Sequence, residues 1–181
     1  MIILDGRENL PDNLNTKICL GKFDGIHLGH RKLISEMCKN EDGLKSLVFT
    51  FAFASPVSFS KEGHIYSEKE RRDIFEKLGV EYLVEYIMDE TTAHMESSEF
   101  IKSVLLDRLH VKSIYCGPDI SFGYKGKGNL DLLKKLSYEY GFSLEVFDKV
   151  KYDGTDISST RIRKAIKKGK VSEAEIMLGK Y

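Results

Sequence analysis

The sequence predicts an α/β protein in which a parallel sheet carries helices on both faces. Three observations predict it. Short apolar runs alternate with segments of helical spacing along the chain. A junction rich in glycine and histidine, Gly21-Lys22-Phe23-Asp24-Gly25-Ile26-His27-Leu28-Gly29-His30, follows one apolar run, and the longest glycine-rich loop, 117–128, follows another. In parallel sheets ligands bind beyond the carboxyl ends of the strands, where strand order reverses, and both segments fall at such ends.

The elements follow in order. Residues 1–5 are apolar but lack the basic start and long apolar stretch of a signal peptide, so they are expected to add a strand. Strands are predicted over 17–23, 44–51, 82–88, 113–117 and 143–147. Helices are predicted over 31–39, 67–78, 97–109 and 129–140, with Ser97 opening one and Gly79 and Gly141 standing where a helical C-cap wants glycine. The tail, 157–178, has helical spacing.

A chain of 181 residues builds one well-buried core and is short for two ordinary domains, so a single domain over 1–181 is expected. With 28 basic and 28 acidic residues the formal charge is zero. That balance argues against a general nucleic-acid binder, and any positive site must be local. No apolar run approaches the roughly 20 residues of a membrane span, so no membrane partner is expected. Cys19, Cys38 and Cys116 are odd in number and widely spaced, which fits a reducing cytoplasm better than a disulfide framework.

The strand-to-helix junction carries the strongest chemical signal. Unpaired N–H groups and the positive end of the dipole make a helix start an anion site. His27 and His30 project from the same side of the first turn, and imidazole donates to phosphate near neutral pH. A lone histidine there serves equally well as a cap, and paired histidines bind metal, but no further ligand pattern accompanies this pair. A second phosphate candidate is Ile157-Ser158-Ser159-Thr160-Arg161-Ile162-Arg163. Its hydroxyls can cap the following helix or donate to phosphate oxygens, and an arginine on the first turn adds a planar donor fork. In the loop 117–128, Asp119 can accept from a ribose hydroxyl or ring N–H, Phe122 and Tyr124 can stack on a flat ring, and Lys125 and Lys127 can screen phosphate. The alternative is a surface loop with one buried aromatic. After the second predicted strand, Phe51 and Phe53 alternate as core residues do, whereas Phe59 lies beyond it and is the better pocket candidate.

Taken together, Gly-x-Phe-Asp-Gly-x-His-x-Gly-His, Gly-x-Asp-x-x-Phe-Gly and Ile-Ser-Ser-Thr-x-Ile-Arg resemble the FMN adenylyltransferase module of prokaryotic FAD synthetases, within the His-x-Gly-His nucleotidyltransferase superfamily. The resemblance runs from about Lys17 to Tyr181. It implies a Rossmann-like nucleotidyltransferase fold and the reaction FMN + ATP giving FAD and pyrophosphate, in the cytoplasm. It implies His27, His30 and Arg163 as catalytic, with the α-phosphate held by the histidines and the β- and γ-phosphates by Ser158, Ser159, Thr160 and Arg163. Gly21, Lys22, Phe23, Asp24 and Gly25 would complete the ATP site. Phe59, Asp119, Phe122 and Tyr124 would take FMN. Mg²⁺ would accompany ATP, ligated mostly by phosphate and water, with no protein metal site. For Asp24, anchoring the tight turn through backbone N–H groups is the favoured role.

The chain departs from the family pattern where relatives usually carry Phe-(acidic)-Pro-His-Pro and this sequence reads Phe51-Ala52-Phe53-Ala54-Ser55-Pro56. Lys22 replaces a common Asn and Ile120 a common Phe, while Lys125 and Lys127 stand in a run that more often contains Arg. The altered turn keeps open another phosphate acceptor within the superfamily, and an alternative of a different class is a non-catalytic nucleotide or flavin sensor that kept the fold. The module is often followed by a riboflavin kinase. As a whole chain this sequence resembles a stand-alone adenylyltransferase; as a fragment it would be one half of a bifunctional enzyme.

Overall fold

The computed structural model describes residues 1–39, 43–53 and 63–180. Six strands form one parallel sheet: β1 (Ile2–Leu4), β2 (Thr16–Leu20), β3 (Lys45–Phe51), β4 (Tyr82–Tyr86), β5 (Val111–Cys116) and β6 (Ser143–Val146). Their order across the sheet is β1-β4-β3-β2-β5-β6. The first residues do add a strand, at the edge, with Ile2 opposite Tyr82. From β2 the chain steps outward through β3 to β4, then crosses back to lay β5 on the other side of β2. The strand order therefore reverses between β2 and β5, and the crevice beyond their carboxyl ends is where this topology places a ligand.

Strand periodicity explains the two-faced core. Ile18 pairs with Leu47 and Ile114, and Cys19 with Val48 and Tyr115. Successive residues point to opposite faces. Ile18, Leu20, Leu47 and Phe49 therefore pack on one face against Ile101, Val104, Leu105, Leu133 and Leu136. Cys19, Val48 and Leu83 pack on the other against Ile34, Met37 and Phe75. The helices on that second face are α1 (Leu28–Met37) and α2 (Glu68–Lys77). Each such side chain, fully buried, stabilises the fold by about 1.5–3 kcal/mol.

Local chemistry sets the helix ends. Ser67 caps α2 in a reciprocal box with Glu70. Asn129 caps α5 (Leu130–Tyr140), which ends on left-handed Gly141 as expected. Gly79, at φ +87°, follows the end of α2 in the same role. The segment predicted as one helix over 97–109 has more structure than that. After a short α3 (Glu90–Ala93), a turn α4 (Ser97–Glu99) runs into a π-wound stretch, Phe100–Arg108. Ser97 does not cap it; the N-cap is Glu96, and the Ser97 hydroxyl donates instead to the Phe122 carbonyl, 3.2 Å away.

The tail divides into α6 (Ser159–Lys167) and α7 (Val171–Leu178), which pack together through Ile162, Ala165, Ala174 and Met177. Before them a two-residue hairpin, β7 (Lys151–Tyr152) with β8 (Thr155–Asp156), turns on Asp153 and Gly154, both at positive φ. Asp-Gly is the preferred pair for such a turn, a signal present in the sequence. Among the described residues, no helix is long and apolar enough to cross a membrane.

Candidate active site

The loop from β2 to α1 is bent by backbone that side chains rarely adopt. Phe23 sits at φ +45° and Ile26 at φ +34°. For a β-branched residue such as Ile26 this conformation costs on the order of 1–3 kcal/mol, so the surroundings must hold it. This bend ends β2 at Leu20, short of the predicted 17–23, and lets α1 begin at Leu28 rather than Arg31. Three contacts hold the loop. The Thr50 hydroxyl donates to the Lys22 carbonyl at 2.9 Å and accepts from Nη2 of buried Arg71 at 2.8 Å. Arg31 Nε donates both to the Ile26 carbonyl and to that of Leu178, at 3.1 and 2.9 Å, tying the loop to α7. Asp24, buried, accepts from the Ile65 N–H at 3.3 Å and pairs with Arg163 of α6.

Asp24 is thus an anchor, but its partners come from distant elements rather than its own turn. Its Oδ1 lies 3.7 Å from His64 Nδ1. Arg163 also donates from Nε to the Gly63 carbonyl at 3.3 Å. One carboxylate therefore joins the β2–α1 loop, the approach to α2, and α6.

His27 is the N-cap of α1, and its Nδ1 accepts the His30 N–H at 3.4 Å. A neutral ring that accepts at Nδ1 carries its proton on Nε2, so His27 is an Nε2–H donor. The His27 and His30 rings stack, and Phe23 meets His30 edge-on at 5.0 Å. Gly29 makes this possible: a Cβ there would lie 3.3 Å from the His27 ring. Burial pushes His27 down to about 4, partly opposed by the charge of Asp119. It pushes His30 well below the ordinary imidazole value, with His27 adding to the shift. The Nδ1 of His30 is buried with no hydrogen-bond partner among the described residues.

A cavity of about 380 Å³ opens at the carboxyl ends of β2 and β5. His27 and His30 line it from α1, Ser158 and Ser159 from the start of α6, and Asp119 from the loop after β5. Gly21, Lys22, Phe23 and Asp24 border it as well. Ser158 caps α6 by accepting the Arg161 N–H at 3.2 Å. Gly25 packs against the same helix start, since a Cβ there would lie 3.4 Å from Ser159 Oγ. Among the described residues, no three His, Cys, Asp or Glu side chains converge as a metal centre requires.

Other expected residues stand elsewhere. Gly25, Thr160 and Arg163 are not among the described residues that line the cavity. Phe122 is in the core, 6.4 Å from the ring of Phe100, and Tyr124 lies against His94, 5.0 Å between centroids. The cause is a fold-back: Phe122 and Gly128 exchange backbone hydrogen bonds, and the Tyr124 N–H reaches the Met95 carbonyl at 2.9 Å. Only the first part of the loop 117–128 therefore faces the crevice. Lys125 and Lys127 go with the part that turns away. Phe59, Ala54 and Ser55 lie outside the described residues. Sequence reasoning missed Lys32, Phe147 and Lys149, which also line the cavity. The last two follow the end of β6, a third strand end at the same crevice.

This arrangement places the protein in a class, the doubly wound α/β proteins of nucleotidyltransferase-like fold. Comparison with known proteins narrows it. A family model described as FAD synthetase matches residues 10–161, and the chain belongs to that family. It is 31% identical over 188 residues to the bifunctional riboflavin kinase/FMN adenylyltransferase of Buchnera aphidicola subsp. Acyrthosiphon pisum, covering 99% of this chain and 59% of that one. The crystal structure of a macrolide-efflux protein from Streptococcus pneumoniae is similar with a TM-score of 0.82 and 28% identity, covering 99% of this chain and 60% of that one. Pantoate-beta-alanine ligase from Francisella tularensis shares the fold at a TM-score of 0.55 and 15% identity, over 92% of this chain and 79% of that one. The chain spans about 60% of the length of the first curated relatives it matches.

Proposed function

We propose that the protein transfers AMP from ATP to the phosphate of FMN, giving FAD and pyrophosphate. One observation carries the reading: the N-termini of α1 and α6 open onto the same cavity. Two anion sites side by side suit an α-phosphate and a departing pyrophosphate. Membership of the FAD synthetase family supports FMN as the acceptor.

In this mechanism an oxygen of the FMN phosphate attacks the α-phosphorus of ATP in line. The bond from that phosphorus to the β-bridging oxygen breaks, and pyrophosphate leaves. Such a step is catalysed by positioning and by stabilising the charge that shifts. His27 donates from Nε2 to an α-phosphate oxygen, with His30 beside it. Ser158 and Ser159, at the start of α6, hold the β- and γ-phosphates. Arg163 acts through Asp24 as a positioning residue for the loop that carries the histidines. Asp119, expected at FMN, shares the cavity wall with His27 and Ser158, and is assigned here to an uncharged hydroxyl or ring N–H of ATP. Mg²⁺ enters with ATP as part of that substrate, ligated by phosphate oxygens and water. We place the reaction in the cytoplasm, a reading supported by the three free cysteines.

The test is to incubate the protein with ATP, Mg²⁺ and either FMN or riboflavin, and to resolve the flavins by chromatography. FAD from FMN and none from riboflavin is the expected result. No FAD from a folded protein that binds ATP would overturn FMN as the acceptor.

A further inference from the structure

Lys149 follows β6, and its Nζ lies 2.9 Å from Oδ2 of Asp119 on the loop after β5. Both line the cavity with His27, and the charge of Asp119 is felt at the His27 ring. The lysines that the sequence offered as phosphate screens stand elsewhere, 5.1 and 5.3 Å above the ring of Tyr124. The pairing bears directly on what the cavity can admit. An ionised carboxylate on the wall repels an entering polyphosphate unless a cation neutralises it. The ion pair is too exposed, at 38% and 69% of the two side chains, to matter much for folding. Its consequence falls on binding.

We infer that Lys149 is a positioning residue for the nucleotide. Its ammonium neutralises Asp119 and holds the carboxylate at the cavity wall. Asp119 then accepts a hydrogen bond from the uncharged part of the nucleotide without repelling its phosphates. The inference rests on the reading of this cavity as an ATP site.

The experiment titrates MgATP, without FMN, into the full chain by calorimetry. The proteins compared are the wild type, Lys149→Ala, Lys149→Arg, Asp119→Asn and the double variant Lys149→Ala/Asp119→Asn. Lys149→Ala is expected to weaken ATP binding about tenfold, the loss of one favourable charge contact. Lys149→Arg should bind within about twofold of the wild type, since it keeps the charge. The double variant should recover most of the loss, because the amide leaves no negative charge to repel phosphate. Thermal midpoints should match throughout. ATP binding unchanged in Lys149→Ala, or a double variant no better than Lys149→Ala, overturns the inference. FAD formation is assayed in parallel. A wild type that binds ATP but makes no FAD sinks the acceptor and leaves the Lys149 result standing, whereas one that binds no ATP sinks both.

Discussion

The rings of His27 and His30 lie 3.7 Å apart and 16° from parallel. Burial pushes the His27 imidazole down to about 4, and burial with the neighbouring His27 holds His30 well below its ordinary value. Unfolded, His27 would bind its proton near 6.5. As pH falls through that window the unfolded chain takes up the proton first, so stability is lost on acidification and is fully present above it. Denaturation midpoints should therefore decline from about pH 6.5 toward 4. His27→Asn keeps a cap acceptor but removes that ring's proton uptake, and should make the decline shallower, with His30 supplying the remainder. An equal slope in both proteins would show that other groups govern it.

Gly29 separates stability from activity. In helix α1 alanine is favoured over glycine by about 1 kcal/mol, yet a Cβ at 3.3 Å from the His27 ring forces that ring to shift. Gly29→Ala should lower kcat about tenfold while moving the thermal midpoint little, since the helix gain and the disturbed His27 cap oppose each other. His30→Ala, which deletes a donor outright, should lower kcat by about 10²–10³ with the fold intact. Wild-type turnover in Gly29→Ala would mean that the ring position does not matter.

Much of this was legible in the sequence, for identifiable reasons. Strands buried on both faces, such as 18–20 and 47–49, show in the sequence as unbroken apolar runs. The caps at Gly79, Gly141 and Ser158 are local chemistry. What the sequence hides is longer in range. Nothing near Phe122 announces that its loop folds back toward Met95, and nothing near Asp24 names Arg163, 139 residues away, as its partner. The end of β2 is misjudged because Phe23 resembles a strand residue until its positive φ is seen. Lys149 stays hidden because its importance depends on β6 lying beside β5.

The Asp24–Arg163 pair is nearly sealed, with side chains 5% and 10% exposed. Removing one partner of a buried pair leaves an uncompensated charge and typically costs about 3–5 kcal/mol. Arg163→Ala should lose stability on that scale in chemical denaturation. Arg163→Ala/Asp24→Asn should be the milder change, since the amide does not need a cation. Two equally damaged proteins would make packing, not charge, the role of Arg163.

Thr50 links Arg71 to the Lys22 carbonyl through one fully buried hydroxyl. Thr50→Val keeps the shape and removes both hydrogen bonds, at a cost of about 2 kcal/mol. Because Lys22 begins the bent loop, KM for ATP should rise more than kcat falls. A loss of stability with unchanged KM would show that the loop is held well enough without Thr50.

Phe122 offers the sharpest contrast between sequence and structure. Its place in the motif suggests a ring for flavin to stack on, but the side chain is buried at 8% exposure, within ring contact of Phe100. Truncating a buried phenylalanine costs about 3–5 kcal/mol, so Phe122→Ala should unfold at markedly lower denaturant. Phe122→Leu keeps much of the volume and should recover much of the stability. If Phe122 serves only the core, KM for FMN in Phe122→Leu should match the wild type once both are assayed well below their unfolding temperatures. If it also touches flavin, losing the aromatic face should raise that KM while stability stays near normal. The leucine variant decides between these roles because it restores packing and removes stacking in one substitution.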